Sequence, residues 1–144
     1  MKNIVSFLFV FFCFQCFAQS EVSSPDYFSC GLRRVVDETT MKVGFEDKKG
    51  KMVLPAQYCK ADRFVKKKCA VYMNAEWTDF SATDGALEHR WIGGKWGVID
   101  KTGKYVKPCI YERSWNAEMN CFQYVAPTDS FYFTSKGKIV PIKK

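Results

Sequence analysis

The 144-residue sequence has one histidine, His89, and beyond residue 18 it has no Cys-x-x-Cys pair. Zinc sites draw on histidine and closely spaced cysteine, so neither a metal nor any other cofactor is expected. No Gly-x-Ser-x-Gly elbow is present to raise a nucleophilic serine. His89 stands in Glu88-His89-Arg90, and no nucleophile signature surrounds any cysteine. No catalytic residue is assigned, and the chain is not expected to be an enzyme. No long amphipathic helical pattern occurs, which argues against a helical bundle. The longest apolar run, Ile4 to Phe14 broken only by Ser6, is shorter than the ~20 residues a membrane-spanning helix needs.

A short apolar run at this place has its own meaning. Met1-Lys2-Asn3 precedes it, and Cys16 and Ala18 put small residues at −3 and −1 of a cut after Ala18. These features predict a secretory signal peptide over residues 1–18, with a cut after Gln19 as the near rival. Phe12 and Gln15 precede Cys13 and Cys16, where lipid attachment would require a small residue, so no lipid anchor is expected. The protein is expected in the periplasm of a bacterium or outside the cell. Losing residues 1–18 removes one lysine and no acid, taking the formal net charge from +7 to +6. The remainder is one domain's length, able to bury roughly two thirds of its unfolded surface. An aromatic content of 17% suits a packed core and not a disordered chain. Its five cysteines, Cys30, Cys59, Cys69, Cys109 and Cys121, fit two disulfides and one spare thiol in an oxidising compartment. They fit equally well as five small reduced core residues.

The chain repeats itself. Residues 43–58, VGFEDKKGKMVLPAQY, align without gaps on residues 96–111, WGVIDKTGKYVKPCIY. Identical pairs include Gly44/Gly97, Asp47/Asp100, Gly50/Gly103, Pro55/Pro108 and Tyr58/Tyr111. With one residue of slip, Cys69 to Tyr72 lies on Cys121 to Tyr124. A shorter third copy spans Phe131 to Val140 and keeps the turn glycine, Gly137. Each copy places β-forming residues on both sides of Asp-x-x-Gly, or Thr-x-x-Gly in the third, a type I turn preference that closes a hairpin. Pro55 and Pro108 are expected to end the second strand, because proline cannot donate to a ladder. A third strand should follow each loop and finish near Tyr72 or Tyr124. The repeats run about 43–73, 96–125 and, truncated, 131–142.

Trp96 to Tyr111 resembles the WG-repeat family, whose unit reads roughly W/Y-G-hydrophobic-I-D-x-x-G-K-hydrophobic-V-hydrophobic-P-x-x-Y. The first copy departs from it at Val43 and Glu46, and the third lacks both the Trp-Gly pair and the tyrosine. The resemblance implies an exported bacterial interaction module without assigned activity. The expected fold is mainly β, with tandem antiparallel hairpins of about eight to ten short strands in a curved sheet or partly closed barrel. Residues 42–144 form that domain and residues 19–41 a separate N-terminal segment, loose at Ser23-Ser24-Pro25, in which Leu32 to Val36 supply a strand against the first repeat. The insertion from Asn74 to Gly94 reads as a further hairpin with a long loop, or a strand plus a helical turn.

Two candidate binding features stand out. Trp77 and Trp91 lie in the insertion, outside the repeat, and exposed aromatics there would suit a protein-binding surface. Lys66-Lys67-Lys68, following Arg63, could grip an anionic envelope glycan or membrane surface. Trp96 is expected in the core, and Trp115, which matches Asp62 of the first copy, is not. The partner expected is therefore a protein, with an anionic glycan or membrane surface as the alternative. Export and the lack of any recognised motif argue against nucleic acid.

Overall fold

Asp47 and Asp100 close the same turn in the same way. Asp47 Oδ1 accepts hydrogen bonds from the backbone N–H of Lys49 and Lys51, at 2.8 and 3.0 Å. Asp100 Oδ1 accepts from Thr102 and Lys104, at 2.8 and 3.1 Å. In the third copy Thr134 Oγ1 accepts from Lys138 N–H at 3.1 Å. Gly50, Gly103 and Gly137 all take φ between 72° and 84°, the left-handed geometry that brings each hairpin back.

The protein is described here from a computed structural model covering residues 26–81, 85 and 87–143. The expected signal peptide and Ser23–Pro25 lie outside the described residues. Among the described residues twelve strands form: β1 (Leu32–Asp37), β2 (Lys42–Asp47), β3 (Met52–Tyr58), β4 (Lys60–Ala61), β5 (Lys68–Met73), β6 (Glu76–Ser81), β7 (Leu87–Ile92), β8 (Lys95–Asp100), β9 (Tyr105–Asn116), β10 (Cys121–Val125), β11 (Ser130–Phe133) and β12 (Ile139–Pro141). This exceeds the eight to ten expected, partly because the first copy breaks at Cys59 into β3 and β4, whereas the second runs on as the single strand β9. The insertion is the hairpin β6–β7, and β1 supplies the expected N-terminal strand.

All strand pairing is antiparallel. The sheets run β1-β2-β3, β12-β11-β10-β9-β8-β5-β4, and β6-β7, and no barrel closes. One rule generates the order: the third strand of each repeat pairs with the first strand of the next. Thus β5 pairs with β8 and β10 with β11. β1 plays the same part for β2, so the segment before residue 42 is integral to the first repeat's sheet.

Proline does not end the second strands. β3 and β9 run through Pro55 and Pro108. Both prolines fall in an irregularity at the same place in each copy. Between the pairs Val43↔Tyr58 and Phe45↔Leu54, one residue of β2 faces three of β3. Trp96↔Tyr111 and Val98↔Lys107 repeat this in β8 and β9. A bulged residue needs no ladder N–H, so proline is tolerated there. The single facing residue is Gly44 or Gly97. A methyl group on Gly44 would come to 2.8 Å from Leu54 O and Ala56 N, and one on Gly97 to 2.7 Å from Lys107 O and Cys109 Sγ. The glycine and the proline of the motif are therefore two halves of one bulge.

The β5–β8 ladder is buried on both faces. Cys69, Val71 and Ile99 point into one core with Leu32, Phe45, Leu54, Tyr58, Ala61 and Phe64. Ala70, Val98 and Trp96 point into the other, with Tyr111, Tyr124, Ala126 and Phe131. Alternation along a strand sends neighbours to opposite faces, so one strand pair joins both cores. Cys30, Cys59, Cys69, Cys109 and Cys121 all carry free thiols, and Cys30 alone among them is exposed.

Candidate functional site

Hairpin β6–β7 pairs with no other strand among the described residues. Its register Trp77↔Trp91, Asp79↔His89 and Ser81↔Leu87 places Trp77, Asp79, Leu87, His89 and Trp91 on one face. Trp77 lies 5.2 Å from Trp91 between ring centroids and stacks on His89 at 5.9 Å. Trp77 is 39% exposed and Leu87 71%, while Trp91 is half-buried. The hairpin springs from Asn74, at φ 57°, and returns through Gly93, at φ 80°. Its base is fixed where Gly94 N–H donates to Tyr72 Oη at 2.9 Å, and Tyr72 packs against Trp96 at 5.1 Å. The result is a two-stranded arm with an aromatic strip, rooted on the tryptophan that opens the second repeat.

His89 Nδ1 lies 2.6 Å from Asp79 Oδ1, both side chains more than half exposed. The carboxylate orients the ring, but no thiol or hydroxyl hydrogen-bonds to it among the described residues.

Lys66 and Lys67 occupy the two central positions of a tight turn closed by Val65 N–H to Lys68 O at 2.7 Å and Lys68 N–H to Val65 O at 3.0 Å. Both are exposed. Lys68 opens β5 opposite Asp100 and is half-buried, so the basic run splits between turn tip and ladder.

The seam between the repeats holds side chains that sequence reasoning missed. Arg113, on β9, stacks over Trp96 at 3.3 Å and over Phe122 at 4.2 Å. It also donates to Asp62 Oδ2 at 2.6 Å. Burial pushes the Asp62 carboxyl pKa up, and Arg113 and Arg34 pull it back. Arg34 donates to Ala61 O at 2.9 Å and to Asp26 at 2.5 Å, and Asp26 also accepts from Arg63 Nε at 2.7 Å. These guanidinium groups hold the Asp26 carboxyl below its usual range, Arg34 contributing most. Tyr124 Oη is fully buried and meets no partner at full hydrogen-bond geometry among the described residues; burial pushes its pKa up to about 12, and the neighbouring Arg113 pulls it back only in part. The Asp62–Arg113 pair joins positions 51 apart, and Asp62 aligns with Trp115 rather than with another acid. The repeat comparison therefore gave no signal for it. Trp96 is in the core and Trp115 is 55% exposed.

The model of the WG containing repeat family matches residues 44–77 and 96–117, the two segments that carry the glycine-proline bulges. No curated protein and no solved structure matches the chain.

Proposed function

We propose, from the match of residues 44–77 and 96–117 to the WG containing repeat family, that the protein is a non-enzymatic interaction module. It is exported to the cell envelope or beyond and binds a protein partner through the β6–β7 arm. The observation carrying this reading is the arm itself. Trp77, Trp91 and Leu87 form an aromatic-apolar strip on a hairpin that no other strand covers. Tryptophan supplies large contact area with few rotatable bonds and recurs at the centres of interfaces. An isolated two-stranded hairpin is marginal alone, and docking a partner against one face supplies the packing layer it lacks.

The test compares the protein with its Trp77→Ala/Trp91→Ala variant in pull-downs from bacterial envelope extract across rising salt. A discrete, stoichiometric protein should survive high salt with the parent and be lost with the variant, at unchanged melting temperature. Equal recovery by both would sink the arm reading. A second reading, binding of an anionic glycan or membrane surface, draws on the formal charge of +6 left once residues 1–18 are removed. Glycan or lipid recovery that vanishes as the Debye length shortens to ~3 Å at 1 M salt would favour it. Export is checked by N-terminal sequencing of the mature protein, which should begin after Ala18 or Gln19.

A further inference from the structure

Three turns from distant parts of the chain meet around one groove. Ser29–Leu32 is a two-residue turn closed by Ser29 N–H to Leu32 O at 2.8 Å and Leu32 N–H to Ser29 O at 3.1 Å. Val65–Lys68 is closed in the same reciprocal manner, and Thr134–Gly137 is the turn of the third repeat. The groove between them has a volume of about 690 Å³. Lys66, Lys136 and Lys138 line it with Ser29, Ser135 and the apolar Phe64 and Val65, and no carboxylate does among the described residues. None of these three lysines forms an ion pair among the described residues.

We propose that this groove is an anion site that takes a phosphate or sulfate monoester. Three lysines around one groove, none of them in an ion pair among the described residues, suit a compact tetrahedral oxyanion, toward which lysine acts as a point charge. The backbone fixes where Lys66 stands. Lys66 and Lys67 both sit in the left-handed region, at φ 48° and 65°, as the central pair of a two-residue hairpin turn must, and glycine or asparagine would be more relaxed there. The site is also rigidly framed. A methyl group on Gly137 would come to 2.6 Å from Lys66 Cβ and 2.8 Å from Val65 O, so the third hairpin is seated directly on the Lys66 turn. Ser29 Oγ donates to Phe64 O, which ties the first turn to the second. Cations from repeat one and from the truncated copy are thus brought together by backbone packing. The site shares no residue with the β6–β7 arm and stands or falls apart from it.

The experiment is an amide-resolved NMR titration of the full chain with inorganic phosphate and, separately, inorganic sulfate. Saturable shifts should be confined to residues 29–31, 65–67 and 135–138, with the Lys48–Lys49 turn unmoved. Saturation by phosphate alone assigns a phosphoryl ligand, and by sulfate alone a sulfated one. Lys66→Asn should weaken binding at least tenfold while the melting temperature holds or rises, because asparagine accepts the left-handed backbone. Lys136→Ala, which leaves that turn untouched, should cause a loss of similar size. Shifts that never saturate, or that spread equally over Lys48 and Lys49, would overturn the proposal. So would unchanged affinity in both variants.

Discussion

Gly97→Ala is the sharpest perturbation the structure offers. The added methyl group would lie 2.7 Å from Lys107 O, 2.7 Å from Cys109 Sγ and 2.9 Å from Cys109 N. Two of those atoms are backbone and belong to the bulge itself, so relief requires opening the β8–β9 pairing. Overpacking of this kind costs about 3 kcal/mol, the upper part of the usual range. Gly50→Ala is the control. Nothing lies within 4 Å of its added methyl, but φ is 78°, so only the left-handed penalty of about 1–2 kcal/mol applies. In urea, with a slope of about 2 kcal/mol per molar, Gly97→Ala should lower the midpoint by about 1.5 M at unchanged slope. Gly50→Ala should lower it by about half as much. Adding Cys109→Ala to Gly97→Ala removes the sulfur contact alone and should not restore the midpoint, since Lys107 O and Cys109 N remain. If Gly97→Ala cost no more than Gly50→Ala, close approach would not be what this glycine serves, and the account of the motif would fail.

Three further outcomes follow from the seam and its surroundings. Arg113→Lys keeps the charge but loses the planar stacking on Trp96 and Phe122, and should destabilise by about 1–2 kcal/mol in urea unfolding. Tyr124→Phe removes a buried hydroxyl that meets no partner at full hydrogen-bond geometry among the described residues and should be neutral or stabilising by up to about 1 kcal/mol, read from the same curves. Arg34 and Arg63 hold the folded pKa of Asp26 below the ordinary carboxylate range, so its contribution is full above that range and fades as pH falls through the folded pKa. Asp26→Asn should therefore cost about 1 kcal/mol at pH 7, and its unfolding curve should converge on the parent's in strong acid. A cost independent of pH would show that the ion pairs to Arg34 and Arg63 are not the source.

What the sequence disclosed was local and repeated. Asp47, Gly50, Asp100 and Gly103 carry turn chemistry within four residues, and their recurrence at fixed spacing marked the hairpins before any coordinates. The pairing of β1 with β2 was visible as a run of β-formers. What stayed hidden needed register or distance. Pro108 reads as a strand end until one knows that three residues of β9 face the single Gly97. The split of Lys66, Lys67 and Lys68 between turn and ladder depends on a left-handed backbone that lysine does not advertise. The groove draws on residues 29, 66, 136 and 138, and Arg113 meets Asp62 across 51 positions. No spacing rule connects such residues, because the sheet order and not the chain brings them together.

The hand-over of strands between repeats has a consequence for how such a chain can lengthen. A unit running from the first strand of one repeat to its third strand, as from β8 to β10, needs a partner before it and offers one after it. A duplicate of that stretch placed between β10 and β11 would take β10 as its neighbour and present its own last strand to β11. Every hydrogen bond across the old joint would be replaced by an equivalent one, and because β8, β9 and β10 lie side by side in one sheet, no sheet edge would be opened on the way. Growth by duplication then leaves the same set of free edges at every length.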